Sequence, residues 1–338
     1  MSHAPGFLLA HATLLAAVPS YAGDTNADPP PRWAADLPPN RWIRIAERPP
    51  AHRGILALSG AAPDAERGPY FVLGGGHADY RGNEVLVLSL RTLRWRRAYE
   101  PDAPSRYRPD NLDHREGKLR DSSRPYSRHT YQQILFVPQR AGMLVWSGCG
   151  PGGKGLGPSR APTDTRPHKP AENRCHLLTD RAPGTMGEAA CQDSASLVLW
   201  AVGGTDGLGR LLFRFDLSTM EWSRRPLRGM RKKTFHMVCL PDGRLVLVAG
   251  SHGLLWMIDP MSARARPVPA PVTIDQKGGT VWHPETWTRM RAPAPPAGPR
   301  GIWGRLKYHP SADALVVATA KGTWAAKVDL RRTEASAR

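Results

Sequence analysis

The stretch that decides the fold is Phe71-Val72-Leu73-Gly74-Gly75-Gly76-His77-Ala78-Asp79-Tyr80-Arg81-Gly82-Asn83-Glu84-Val85-Leu86-Val87-Leu88-Ser89-Leu90-Arg91-Thr92-Leu93-Arg94-Trp95. An apolar run of strand length ends in glycines. A polar loop follows, then an alternating run, a short turn and a Trp. Strand-length apolar runs bounded by turn residues are the signature of antiparallel strands. The pattern recurs at Leu197 to Gly204, Leu211 to Leu217 and Trp222. Trp95 lies 19 residues after Gly76, and Trp222 lies 18 after Gly204. A repeat of this size is read before anything else, because it sets the architecture.

Each repeat reads as four antiparallel strands. The first repeat takes Ile55 to Leu58, Tyr70 to Leu73, Glu84 to Leu90 and Trp95 to Tyr99. The second takes Gln133 to Val137, Met143 to Gly148 and, after a long loop, Cys175 to Leu178. The third takes Glu188 to Cys191, Leu197 to Gly204, Leu211 to Leu217 and Trp222. The fourth takes Thr234 to Leu240, Leu245 to Gly250 and Leu254 to Asp259. A degenerate fifth is visible only as Gly278 to Trp287. The sixth takes Leu306 to His309, Ala314 to Ala320 and Thr323 to Leu330. Four-stranded units repeated in this way close radially, which leaves no long exposed edge. The expected fold is an all-β propeller of six blades over residues 41–330, with seven as the alternative if Pro267 to Trp287 hides more strand. Trp42 to Ile45 is expected to complete the last blade and tie the chain ends together. Residues 331–338 form a tail.

Residues 1–22 read as a secretory signal peptide, with an apolar core from Phe7 to Val18 and a small residue, Ala22, at the end. Residues 23–40 are rich in Pro, Ala and Asp and read as a linker. The expected location is secreted or periplasmic. No apolar run has transmembrane length. The net charge of +18 favours anionic partners, but the basic residues are mostly scattered arginines and no nucleic-acid motif is present. No nucleic-acid partner is expected, and the protein is read as a monomer. Four cysteines permit two disulfides in an exported chain. Cys149 and Cys175 flank the long loop of the second repeat and are the expected pair. Cys191 and Cys239 lie on first strands of successive repeats, near each other without needing to bond.

At Leu73-Gly74-Gly75-Gly76-His77, at Val202-Gly203-Gly204 and at Phe215-Asp216-Leu217-Ser218-Thr219-Met220-Glu221-Trp222, the chain resembles the kelch-repeat propellers. It looks most like bacterial secreted kelch proteins related to the central domain of galactose oxidase. The second repeat lacks the Trp, and the fourth has Ala265 where Trp is expected. Kelch propellers include oxidases, an epimerase, lyases and binding modules, so the fold does not name an activity. The copper set of galactose oxidase, two Tyr, two His and a Cys bonded to one Tyr, does not map onto these residues. No metal or other cofactor is expected.

In a kelch blade, the loop after the glycines and the lead-in to the next blade reach one face. Those loops supply the candidate ligand-binding residues: His77, Asp79, Tyr80 and Asn83; Arg128, His129 and Tyr131; Lys233 and His236; and Arg305. Arg128, Lys233 and Arg305 are expected as a cationic ring that grips a carboxylate or sulfate in bidentate fashion. His77 or His129 has the chemistry of an acid or base, oriented by Asp79. The structural alternative stays open. Lead-in histidines such as His129 and His236 are often satisfied core groups, and Asp79 and Asn83 have the chemistry of loop closers. The expected function is recognition of a carbohydrate or protein ligand, with an anionic one favoured by the arginines. The competing expectation is a carbohydrate-active epimerase or lyase, or a metal-dependent oxidase, on the same scaffold.

Overall fold

The structure is a computed structural model. It describes residues 31–327 apart from 40, 51–52, 57, 65–66, 76–79, 139–141, 149, 152–164, 170–173, 176, 180–181, 183–188, 194–195, 205–209, 231–233, 240–242, 250–253, 269–303 and 310–311. The described chain is all-β, a propeller-like ring of antiparallel four-stranded sheets. The first blade runs Gly60–Pro63, Pro69–Leu73, Leu86–Ser89 and Arg94–Arg97. The second runs Ile134–Val137, Gly142–Trp146, Thr165–Lys169 and Arg174–Cys175. The third runs Ala189–Asp193, Val198–Gly203, Arg210–Asp216 and Glu221–Leu227. The fourth runs Thr234–Cys239, Leu245–Ala249, Leu254–Asp259 and Arg264–Val268. The last contributes Lys307–His309, Ala314–Thr319 and Gly322–Ala326.

Burial explains why these segments are strands. The second strand of the third blade, Val198–Gly203, is buried along its whole length, as is Gly142–Trp146 in the second. Strands covered on both faces read as continuous apolar runs. The fourth strands alternate toward solvent and carry the arginines. Cores are shared between neighbours. One cluster joins the last and first blades, one the first and second, one the second and third, and one the third and fourth. The tryptophans sit at these seams. Trp95 lies edge-on to Tyr70 and donates its Nε1–H to Thr323 of the last blade at 2.9 Å. Trp222 packs on Phe215 and on Trp146 of the second blade. The third-to-fourth hairpins share one kink, a residue with positive φ just before the fourth strand: Leu93 at 56°, Met220 at 62° and Ala263 at 49°.

The chain ends meet in one blade, as the sequence suggests. Ile43–Ala46 pairs antiparallel with Gly322–Ala326, with Ile43 opposite Ala325 and Arg44 opposite Trp324. The second half of the stretch read as a linker also belongs to the fold. Arg32–Ala35 forms a short helix, Ala34 and Leu37 are buried, and Trp33 donates to the carbonyl of Leu90 at 2.6 Å. The signal-peptide reading lies outside the described residues.

Three expectations need correction. The described residues form five four-stranded sheets, not six. The stretch read as the degenerate repeat lies outside the described residues. Ile55 to Leu58 is not the first strand of its blade; Arg53–Leu56 is a 3-10 turn, and Gly60–Pro63 takes the strand position. The choice of glycine there is steric. Gly60 and Gly304 bridge each other at the inner edge of the ring, and a Cβ on either would collide with the carbonyl of Tyr131.

The third correction concerns the disulfide. It joins Cys191 to Cys239, whose Cα atoms are 5.8 Å apart. These residues lie on the first strands of the third and fourth blades, which pack side by side. Cys175 lies on the fourth strand of its blade rather than the third, and Cys149 lies outside the described residues. Closing a loop of 48 residues is worth about 4 kcal/mol in the chain-entropy account.

Candidate functional site

The loop after the first double glycine and the lead-in to the second blade come together. Gly75 holds φ at +93°, and a Cβ there would sit 2.8 Å from the carbonyl of Gly82 and 3.2 Å from Cβ of Ser127. Only glycine accepts both that dihedral and that proximity. Tyr80 and Ser127 therefore flank the same glycine. Thr130 stitches the lead-in to the first blade. Its hydroxyl accepts the Gly60 N–H at 2.7 Å and donates to the carbonyl of Leu73 at 2.6 Å.

Asn83 is a brace. Its amide nitrogen donates to Asp102 at 2.8 Å and to the carbonyl of Pro125 at 2.9 Å, and its oxygen accepts the Asp102 N–H at 2.8 Å. The Tyr99 hydroxyl donates to its backbone carbonyl at 2.8 Å. Asp102 also takes Arg106 at 2.6 Å and Ser122 at 3.1 Å. This is the loop-closing role, since every polar atom of the Asn83 side chain is engaged.

Tyr80 and Glu84 form the pair with chemistry left over. The Tyr80 hydroxyl donates to Oε1 of Glu84. Burial first, then that hydrogen bond and the carboxylate's charge, push the Tyr80 phenol well above its ordinary pKa. Glu84 is fully buried, and its Oε2 has no hydrogen-bond partner among the described residues. Ser127 is likewise fully buried with its Oγ unpartnered among them, while its N–H donates to the Tyr107 hydroxyl at 3.0 Å. Buried polar atoms are paired in the great majority of cases, so two unpaired ones in this loop cluster, Glu84 Oε2 beside Gly82 and Ser127 Oγ next to Gly75, mark a place where a ligand group or water belongs. In the same lead-in, His129 and Tyr131, both half-buried, stand edge to face at 5.7 Å, with the Tyr131 hydroxyl 3.4 Å from His129 Nδ1.

Sequence reasoning passed over Glu84 and Ser127. Glu84 was read as the start of the third strand. The available signal was an acidic residue directly before the apolar run Val85-Leu86-Val87-Leu88, inside a blade.

The cationic ring is not what the arginines build. Arg128 is 0 % exposed; its Nη1 donates to the carbonyl of Ser147 at 3.1 Å and its Nη2 to that of Gly117 at 2.6 Å. Its guanidinium also lies 5.1 Å from the Tyr126 ring centre. Arg305 is equally interior. Its Nε donates to the carbonyl of Ala318 at 2.9 Å, and its Nη1 to Ser59 Oγ at 3.0 Å and to the carbonyl of Leu56. Burial pulls its pKa down to about 10, against a smaller opposing effect from Tyr70. Both planar forks collect carbonyls at strand ends and fasten lead-ins to their blades. His77, Asp79 and Lys233 lie outside the described residues. His236 is placed only by its backbone, opposite Val248 in the fourth blade.

Among the described residues no group of three or more His, Cys, Asp and Glu is placed to hold a metal ion, and no helix is long and apolar enough to cross a membrane. No protein-family model and no curated protein matches the chain.

Proposed function

We propose that this chain is an exported kelch-type propeller that binds a carbohydrate at the junction of its first and second blades. The observation that carries the reading is the pair of buried, unpartnered oxygens in this loop cluster, Glu84 Oε2 beside Gly82 and Ser127 Oγ on the residue that meets Gly75. Sugar hydroxyls both donate and accept, which suits a carboxylate oxygen beside a serine hydroxyl. The half-buried rings of Tyr131 and His129 offer an apolar face with polar tips, the composition that ligand sites favour. The double-glycine repeats and seam tryptophans support the kelch reading. The Cys191–Cys239 disulfide supports an oxidising compartment, in line with the apolar N-terminal stretch.

A second reading rests on Tyr80. A phenol hydrogen-bonded to a buried carboxylate is a donor–acceptor pair of the kind an epimerase or lyase uses for proton transfer. One experiment addresses both. Purified protein is titrated calorimetrically against a panel of neutral oligosaccharides, and each mixture is followed by NMR for turnover. A ligand that binds should lose about tenfold or more in affinity on Glu84→Gln, the scale of a hydrogen bond to a charged group. Ser127→Ala should lose less. Unchanged affinity in both variants, with a lowered melting temperature, would make these groups structural. Product formation abolished by Tyr80→Phe would favour the catalytic reading over pure binding.

A further inference from the structure

The fourth blade departs from its siblings at one position, and a cleft lies there. Leu88 faces Trp95 in the first blade, and Phe215 faces Trp222 in the third. In the fourth, Ile258 faces Ala265. The positive φ of Leu93, Met220 and Ala263, each two residues before this position, confirms the register. Trp95 and Trp222 each fill the seam toward the preceding blade. Ala265 cannot. Along the fourth strand of this blade, beside Arg228 and Gly229, lies a cavity of about 720 Å3 with Ala265 in its wall.

The lining is strongly basic. Arg228, Arg244, Arg264 and Arg266 face it, against one carboxylate, Asp259. That carboxylate is occupied with its own turn. Its Oδ1 accepts the Met261 N–H at 2.9 Å and its Oδ2 the Ser262 hydroxyl at 2.6 Å. Among the described residues Arg228, Arg264 and Arg266 make no ion pair, and all three are exposed. Arg264 and Arg266 are two apart on one strand, so both point to the same side. Met257 lies directly opposite Arg266 and supplies an apolar floor. The wall is fixed by backbone: the Arg228 N–H donates to Ala263 at 2.9 Å, and the Ala265 N–H returns to Arg228 at 2.8 Å.

We propose that this cleft is a binding site for an acidic oligosaccharide, its sulfate or carboxylate groups held by the four arginines and its ring face laid on Met257. Guanidinium forks grip such oxyanions in bidentate fashion. The volume lies within the roughly 300–1,000 Å3 of small-ligand sites. The site is separate from the junction of the first and second blades and does not depend on it. Arg244 and Ser262 lie in the connections between strands one and two and between strands three and four. Antiparallel alternation puts those connections at one end of the blade and the two-to-three connection at the other.

The test uses the full chain and fluorescence anisotropy. The probes are a labelled heparin-derived tetrasaccharide, a labelled tetragalacturonate, a neutral tetrasaccharide, an acidic peptide and a short single-stranded DNA, all at physiological ionic strength. One or both acidic sugars should bind, which separates sulfate from carboxylate preference, and the neutral sugar should not. The double variant Arg264→Ala/Arg266→Ala should weaken binding about tenfold or more. Met257→Glu should abolish it by setting a carboxylate on the floor, opposite Arg266. The control is Arg94→Ala/Arg96→Ala, which removes the same charges from the equivalent strand of the first blade, where Trp95 fills the seam; it should change affinity less than about twofold. Equal loss in control and cleft variants would reduce the binding to general surface charge. Unchanged binding in both cleft variants, or equal affinity for the DNA or the peptide, would overturn the proposal. If Met257→Glu fails to fold, the two arginine pairs still decide.

Discussion

Arg305→Ala is expected to lower the unfolding free energy by about 3 kcal/mol or more, the summed cost of the buried acceptors it strands. The side chain is 2 % exposed and ties two segments together: Ala318 in the last blade, and Leu56 and Ser59 before the first strand of the first. Its own carbonyl accepts the Tyr70 hydroxyl, which is also fully buried. Truncation would leave two carbonyls and a hydroxyl without their donor and open a void beside Tyr70. Each stranded buried group costs about 1–3 kcal/mol. Arg305→Lys keeps the charge but has one nitrogen where the fork has three, so it should recover only part of the loss. Urea unfolding with an unchanged slope checks this. A loss under about 1 kcal/mol would mean that the last and first blades do not depend on this tie.

Acidification should expose a second interior group. His309 is 0 % exposed on the first strand of the last blade, and burial pulls its pKa down to about 4, against a weaker opposing hydrogen bond to the carbonyl of Pro69. The unfolded chain takes up this proton near pH 6.5, whereas the folded one resists it until about pH 4. Between those values the unfolded state binds more protons, so stability falls as pH falls. The stabilisation is whole above pH 6.5 and lost through pH 4. The shift corresponds to about 3 kcal/mol. His309→Gln, which retains a donor for Pro69, should flatten the stability profile across this window and leave the acid limb below it to the carboxylates. An unchanged profile in the variant would assign the acid sensitivity elsewhere.

Strand positions were legible because burial on both faces leaves continuous apolar runs, as in Val198-Leu199-Trp200-Ala201-Val202. The double glycines marked where those runs end. The ring closure through Ile43 was legible because the last repeat lacked a fourth strand. The arginines were misread for a physical reason. A sequence shows that Arg128 and Arg305 are charged, but carbonyls carry no signature of their own, so a buried carbonyl cluster is invisible beforehand. The cysteines were legible in part: the placement of Cys191 and Cys239 on neighbouring first strands holds, and the bond between them was not foreseen. First strands of successive blades lie side by side at the ring's inner edge, and only the assembled ring shows that Cys191 and Cys239 come within bonding reach. Ala265 was visible as a departure from the repeat. The arginine-lined cleft along the same strand needed Arg228 and Arg244, distant in sequence from Arg264 and Arg266, to be brought together.

The central claim is that one blade is built from both ends of the chain. Native-state hydrogen exchange tests it most directly. Backbone amides of Ile43–Ala46 are predicted to exchange together with those of Gly322–Ala326, through a common opening close to global unfolding, because the two strands form one ladder. Fast exchange of Ile43–Ala46, at the rate of a fraying terminus, while Gly322–Ala326 stays protected would contradict the closure.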